Sequence, residues 1–300
     1  MEKVAAIDLG TNTFHLLIAK RDGSGFLEIV RERIWVSLAE EGIEKFSEKV
    51  LIRALDAIGK FRKILDEHHV KFCRTTGTEA FRSAINGPVL LDKIQLDYGI
   101  KVEIISGSRE AELIYKGTSI LFPGTNQPNV IMDIGGGSTE FIIYNKDGII
   151  WSHSYKAGVT HLYNLFVSSD PLSSNDHSEI KEYFKKIFVN FPKDILKTEK
   201  CTLIGASGSF EVLDTFADNK PSSTRYSQFS PEDFYMVYRE IYSTTLEERM
   251  SHPKIPDTRA KLIVVAFSLI DYMLDLIKPN KIMVSPYALK EGLIREMLQI

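Results

Sequence analysis

Short blocks of apolar residues alternate with turns of small polar residues at the start of the chain, and the same arrangement returns near residue 130. Ala5-Ala6-Ile7-Asp8-Leu9 leads through Gly10-Thr11-Asn12-Thr13 to Leu16-Leu17-Ile18; Val130-Ile131-Met132-Asp133-Ile134 leads through Gly135-Gly136-Gly137-Ser138-Thr139 to Phe141-Ile142-Ile143. Each copy reads as strand, tight turn and strand, a β-hairpin whose small residues let backbone N–H groups approach a ligand. Asp8 and Asp133 occupy equivalent places 125 positions apart, which predicts a duplicated domain.

Phe26 to Arg31 reads as a further strand. Lys49 to Glu67 carries Leu51, Leu55, Ile58, Phe61 and Leu65 at helical spacing, with Ser47 as the expected N-cap. Val70 to Thr75 then predicts a strand feeding a helix through Glu79 to Ile85. Val102 to Ile105 predicts another, feeding a helix through Arg109 to Lys116 that Gly117 is expected to stop. The Pro- and Gly-rich stretch Leu121 to Pro128 is the strongest break, so domains are expected over 1–124 and 125–300, with the last helix free to pack back on the first. In the second half, Cys201 to Ile204 predicts a strand, Gly205-Ala206-Ser207-Gly208-Ser209 a turn, and Phe210 the start of a helix. A long helix is expected from Thr258 to Ile277 with Ile263, Phe267, Ile270 and Leu274 inward, then a strand from Lys281 to Ser285 and a helix from Leu289 to Leu298. This alternation predicts an α/β fold whose largely parallel sheets bind ligands at the carboxyl ends of their strands.

Composition narrows the partners. Three hundred residues, 44% hydrophobic and 26% charged, suit a globular protein of about two domains. With 37 basic against 40 acidic residues, the net charge of -3 offers no surface for wrapping a nucleic-acid duplex, so an anionic ligand has to be held at a local site. Cys73 and Cys201 lie far apart with no CxxC partner, which argues against a disulfide framework and for a reducing cytoplasm. The most apolar stretch, Leu262 to Ile270, falls short of the ~18 residues of a membrane span, and Asp8 interrupts any secretory h-region, so neither insertion nor export is expected.

A turn of Gly, Ser and Thr at a strand end aims several N–H donors at one point, an arrangement suited to phosphate oxygens. One such turn can be a mere connection; three of them, two preceded by Asp, point to phosphate. The candidate contacts are Gly10, Thr11, Asn12 and Thr13; Gly135, Gly136, Gly137, Ser138 and Thr139; and Gly205, Ser207 and Gly208. Asp8 and Asp133 stand in apolar strands, where a carboxylate is costly unless paired, hydrogen-bonded or near a cation. Each either caps its own turn or holds Mg²⁺, which takes oxygen ligands and bridges phosphates, with Glu140 joining through a water. The seven histidines show no metal-ligand spacing.

These strings resemble the exopolyphosphatase/guanosine pentaphosphate phosphohydrolase family, a branch of the actin-like, sugar-kinase and heat-shock ATPase superfamily. The resemblance is carried by the Ala6 to His15 string, Gly77-Thr78-Glu79-Ala80-Phe81-Arg82 with Asn86, and Ile104-Ile105-Ser106-Gly107 with Glu110-Ala111. It continues in Met132 to Glu140, Gly205-Ala206-Ser207-Gly208 and Lys290-Glu291-Gly292. It implies duplicated actin-like (ribonuclease H-like) α/β domains around a cleft. It also implies a Mg²⁺-dependent phosphohydrolase that releases terminal phosphate from polyphosphate or the 5′ γ-phosphate from guanosine pentaphosphate. By the same resemblance Glu110 positions the attacking water, Arg82 lies near the transferred phosphate, and Asp133 and Glu140 bind metal and water. The residues alone do not separate Glu110 from Glu112, and a carboxylate in the first turn of a helix is also what the dipole favours. Arg259 and Lys290 read either as lining the route of a longer anion or as solvated faces.

The chain departs from the family pattern at His161, where an Arg is usual, and at Lys261 in Arg259-Ala260-Lys261, where an Asp is common. An extra C-terminal helical domain, present in longer members, is not expected after Ile300. Two competing readings are an ATP-dependent small-molecule kinase on the same fold and a non-catalytic sensor of polyphosphate or alarmone. A homodimer is the default expectation for a cytoplasmic enzyme.

Overall fold

The computed structural model describes residues 2–196, 201–217 and 225–300. The first repeated hairpin is β1 (Lys3–Leu9) with β2 (Thr13–Asp22), extended by antiparallel β3 (Gly25–Trp35). On its other side β1 pairs in parallel with β4 (Phe72–Gly77), and β4 with β5 (Val102–Ile104), giving the order β3-β2-β1-β4-β5. The second repeat builds β6 (Asn129–Ile134), β7 (Thr139–Asn145) and β8 (Gly148–Tyr155) in the same antiparallel sequence. Strand β9 (Thr202–Ala206) joins β6 in parallel; β10 (Ser227–Phe229) and β11 (Lys281–Val284) complete the order β10-β11-β9-β6-β7-β8. Apart from the edge strand β10, the second order repeats the first. This is the duplicated α/β sheet that the echo at 125 residues predicts. The registers agree in detail, because Asp8 pairs opposite His15 in one hairpin and Asp133 opposite Glu140 in the other.

Helices follow the strands: α1 (Glu48–Glu67), α2 (Glu79–Ser83), α3 (Gly87–Tyr98), α4 (Gly107–Thr118), α5 (Val159–Phe166) and α6 (Ser174–Ile187). Then come α7 (Gly208–Thr215), α8 (Pro231–Tyr242), α9 (Leu246–Met250), α10 (Asp257–Ala260), α11 (Ile263–Ile277) and α12 (Leu289–Leu298). By their contacts the residues form two units, one of Met1–Ile120 with Gly135–Gly137 and Tyr287–Ile300, the other of Leu121–Ile134 with Ser138–Pro286. In the first, Ile7, Leu9, Phe14 and Leu16 of the sheet meet Ala54, Ile58 and Phe61 of α1, Phe81 of α2, and Leu90 and Ile94 of α3 in one buried core. In the second, β6 is buried along its whole length, Asn129 and Asp133 included.

Several local expectations are corrected. Ser47 stands at the start of α1, but its hydroxyl caps nothing and is buried without a hydrogen-bond partner. Helix α2 stops at Ser83, since Ala84 turns extended, and α3, with Pro88 in its first turn, forms where the sequence pattern predicts no helix. Gly117 does not stop α4 but lies inside it, where a Cβ would come within 1.9 Å of the Ala288 carbonyl oxygen. Gly292 in α12 mirrors it, at 2.0 Å from the Leu113 carbonyl oxygen, so the two helices touch backbone to backbone. The long helix expected from Thr258 is two helices broken at Lys261 and Leu262, although Ile263, Phe267, Ile270 and Leu274 are buried. Strand β3 runs to Trp35, beyond the expected Arg31. No described helix is long and apolar enough to cross a membrane.

Candidate active site

In the first unit the turn after β1 is closed by Gly10 N–H donating to the Thr13 carbonyl at 3.2 Å. Its other carbonyls are taken up by the segment after β3: Asn12 O accepts from Val36 and Ser37 at 2.8 Å each, and Thr11 O accepts from Leu38 at 2.7 Å. The loop is thereby fixed, with Thr11, Asn12 and Thr13 buried. Thr13 Oγ1 has no hydrogen-bond partner. Such a buried orphan costs about 1–3 kcal/mol, which a ligand or metal-bound water would relieve.

Strands β4 and β5 lie side by side in parallel and deliver two helices at their carboxyl ends. At the start of α4, Ser106 Oγ accepts from Arg109 N at 3.2 Å, which places Glu110 in the first turn. From α2, Arg82 Nη1 donates to Glu110 Oε2 at 2.9 Å and to the Ile105 carbonyl at 2.6 Å. The other edge of the guanidinium donates to Glu79 Oε2, from Nε at 3.0 Å and Nη2 at 2.8 Å. Burial works against the charge of Arg82, but the Glu110 and Glu79 carboxylates outweigh it and hold its pKa above the ordinary arginine value. Glu112 turns away, bonding Arg109 and Lys116 at 2.6 Å each, with its carboxyl held below the usual range by those two cations. The structure therefore groups Glu110, and not Glu112, with Arg82.

The turn Gly135–Gly137 belongs by contacts to this unit. A Cβ at Gly136 would fall 2.8 Å from Asn12 Nδ2 and 2.9 Å from Thr11 Cβ, and one at Gly137 would fall 2.8 Å from Glu79 Cγ. Only glycine fits there. The sequence does not single out Glu79 as a site residue; its place three positions before Arg82, the spacing of a helical ion pair, is the available signal.

In the second unit Asp133 and Glu140 are directly opposed across antiparallel β6 and β7, so their side chains share one face. Ser207 Oγ donates to Asp133 Oδ1, and Ser154 Oγ donates to Glu140 Oε1 at 2.7 Å. Ser207 has φ 69° and ψ 178°, a conformation that L side chains rarely adopt and that costs about 1–3 kcal/mol. The flanking glycines admit neighbours onto the backbone: a Cβ at Gly205 would strike the Phe210 ring at 2.0 Å, and one at Gly208 the Arg259 guanidinium at 1.9 Å. Arg259 thus lies against the third loop and not on a solvated helix face. Lys290, in the first unit, is also shielded, with its side chain 11% exposed and its Nζ 3.4 Å from Glu291. Thr139 Oγ1 donates to the Ala157 carbonyl at 2.8 Å and Ser138 is buried beside it. Of the two departures from the family pattern, Lys261 stands over the Tyr163 ring at 4.7 Å, and His161 lies on α5.

Among the described residues no three or more His, Cys, Asp or Glu side chains form a cluster able to hold a metal ion by themselves. The opposed pair Asp133 and Glu140 still fits Mg²⁺, which keeps several waters and needs only one or two carboxylates beside phosphate. Asp8, half-buried, stands next to Thr76 in the parallel register of β1 and β4.

The Ppx/GppA phosphatase family model matches residues 17–300. A guanosine-5'-triphosphate,3'-diphosphate pyrophosphatase of Vibrio parahaemolyticus is 27% identical over 98% of this chain and 59% of its own length. This chain therefore spans less than two thirds of that relative. Exopolyphosphatase 2 of Mycobacterium tuberculosis is 25% identical over 88% of this chain and 87% of its own. Among solved structures, an exopolyphosphatase from Cytophaga hutchinsonii is 38% identical with a TM-score of 0.93, covering 99% of this chain and 98% of that one. The Aquifex aeolicus Ppx/GppA family member, 21% identical with a TM-score of 0.82 over 99% and 98% of the two chains, shares the fold. With a family match over almost all its residues and a fold shared from end to end, this chain belongs to the Ppx/GppA phosphatase family.

Proposed function

We propose that this protein is a Mg²⁺-dependent phosphohydrolase that releases terminal phosphate from inorganic polyphosphate or the 5′ γ-phosphate from guanosine pentaphosphate. The observation that carries the reading is the Arg82–Glu110 contact at 2.9 Å, part-buried at the carboxyl ends of two parallel strands. In this reading Glu110 aims a water at phosphorus and Arg82 fixes the Glu110 rotamer. The loops at Gly10 to Thr13, Gly135 to Thr139 and Gly205 to Gly208 hold phosphate oxygens, with the orphan hydroxyl of Thr13 turned to use. Phosphoryl transfer passes through a loose transition state, so placing the water counts for more than removing its proton early. Mg²⁺ would be held by the opposed carboxylates Asp133 and Glu140 of the second unit, with Asp8 of the first unit a further metal candidate by its equivalent place in the repeat, and when bound it would neutralise charge on phosphate oxygens.

The named relatives act as hydrolases of phosphoanhydrides by their names, which favours hydrolysis over the kinase and sensor readings. The domain division at residue 124 and a cytoplasmic setting, in which Cys73 and Cys201 stay free thiols, belong to the same proposal. Phosphate release measured side by side on tripolyphosphate, long polyphosphate and guanosine pentaphosphate, with and without Mg²⁺, tests it. The expected outcome is metal-dependent release from at least one of the three. Release from none, or transfer to an added hydroxyl acceptor in place of water, contradicts it.

A further inference from the structure

A guanidinium has five N–H donors. In Arg82 four of them are engaged: Nε–H and one Nη2–H by Glu79, and both Nη1–H by Ile105 O and Glu110. A single Nη2–H is left, whereas bidentate capture of a phosphate needs two parallel donors. Glu79 is itself held in place, because Ser83 Oγ donates to its Oε1 at 2.8 Å. It is also buried against the glycine turn, where a Cβ at Gly137 would fall 2.8 Å from its Cγ.

We propose that Glu79 is a positioning residue that occupies the Nε–Nη2 edge of Arg82, so that the guanidinium serves Glu110 and a bound phosphate must compete with Glu79 for the fork. The inference rests on the phosphohydrolase reading. Two carboxylates around one guanidinium leave the trio with a net negative charge, which opposes an incoming anion. Glu79 thus weakens ground-state phosphate binding while it keeps Arg82 on Glu110. That balance favours turnover over product retention, because binding that is equally strong in the ground state does not raise kcat.

Titration calorimetry with inorganic phosphate in magnesium chloride tests the idea on the full chain, because phosphate is not turned over. Glu79→Gln is expected to bind phosphate about tenfold more tightly, from the loss of one adjacent like charge. Its kcat and KM on tripolyphosphate are expected to fall together, a pattern that a merely structural role would not produce. Ser83→Ala, which only loosens Glu79, is expected to tighten phosphate about two- to threefold by the same mechanism, and it decides the matter if Glu79→Gln does not fold. Adding Arg82→Ala to Glu79→Gln is expected to abolish the gain. Phosphate affinity at or below the wild-type level in both single variants overturns the inference and leaves the phosphohydrolase reading intact. A tightened Glu79→Gln in a protein that hydrolyses none of the candidate substrates supports the inference and sinks that reading. Uptake by Glu79→Gln with none by the wild type supports the inference, and no uptake by any of these proteins overturns it.

Discussion

Arg82 and Glu110 are separated by 28 residues and meet at 2.9 Å through Nη1 and Oε2. They come from successive βα turns, α2 after β4 and α4 after β5, on strands that pair in parallel. Parallel βα units bring such turns to one end of the sheet, where open α/β folds place their ligands. The contact is therefore a product of topology as well as of side-chain chemistry. Removing either partner would leave a poorly solvated charge, because the side chains are 20% and 9% exposed.

The third loop stores strain at Ser207, whose φ is 69°. Ser207→Gly and Ser207→Ala both lose the hydroxyl that bonds Asp133, but only glycine relaxes the backbone. The glycine variant is expected to be more stable than the alanine variant by about 1 kcal/mol. Urea unfolding of the two side by side checks it, and equal midpoints would show the conformation to be unstrained.

Gly117 and Gly59 make a second pair. Alanine at 117 would place its Cβ 1.9 Å from a backbone oxygen of α12, a clash that can be relieved only by moving a helix. A loss of about 3 kcal/mol is expected. Alanine at 59 meets only the Tyr98 ring at 3.2 Å, and glycine is a poor helix former, so a change between zero and a gain of about 1 kcal/mol is expected there. Thermal unfolding distinguishes the two.

Glu296 on α12 ties that helix to β4 and α4. Burial acts to raise its pKa, but hydrogen bonds from Arg109, Lys116 and Arg74 outweigh that and bring it from 4.5 down to about 2. A depressed folded-state pKa gives stability that is present above the unfolded value and lost as pH falls through the folded one. Wild type is therefore expected to exceed Glu296→Gln in stability above about pH 5, and the difference to shrink to nothing between 4.5 and 2. Unfolding midpoints across that range measure it; a constant difference would mean that the carboxylate is not coupled to the three cations.

Much of the fold was legible because it rests on patterns of nearby residues. The repeated hairpin, its Asp and its glycines are visible within fifteen residues of each copy, and the duplicated sheet follows from them. What the local sequence does not reveal depends on distant partners. Gly117 looks like a helix stop until Ala288 arrives 171 positions later and shows it to be a contact point. Glu110 and Glu112 are equal on paper, and only the approach of Arg82 from another turn separates them. Glu79 is hidden in the sequence for the same reason, since its role is defined by what Arg82 does with its other nitrogens. Helix α3, whose exposed side carries apolar Val89 and Leu96, offers little amphipathic contrast to read.

In the proposed reaction, Glu110 positions the attacking water. Phosphate release from tripolyphosphate in Mg²⁺ by Glu110→Gln, with Glu112→Gln alongside and unfolding midpoints confirming intact folds, tests it most directly. A loss of at least about a hundredfold in kcat is expected for Glu110→Gln and less than about twofold for Glu112→Gln. Near-wild-type turnover by Glu110→Gln would contradict it.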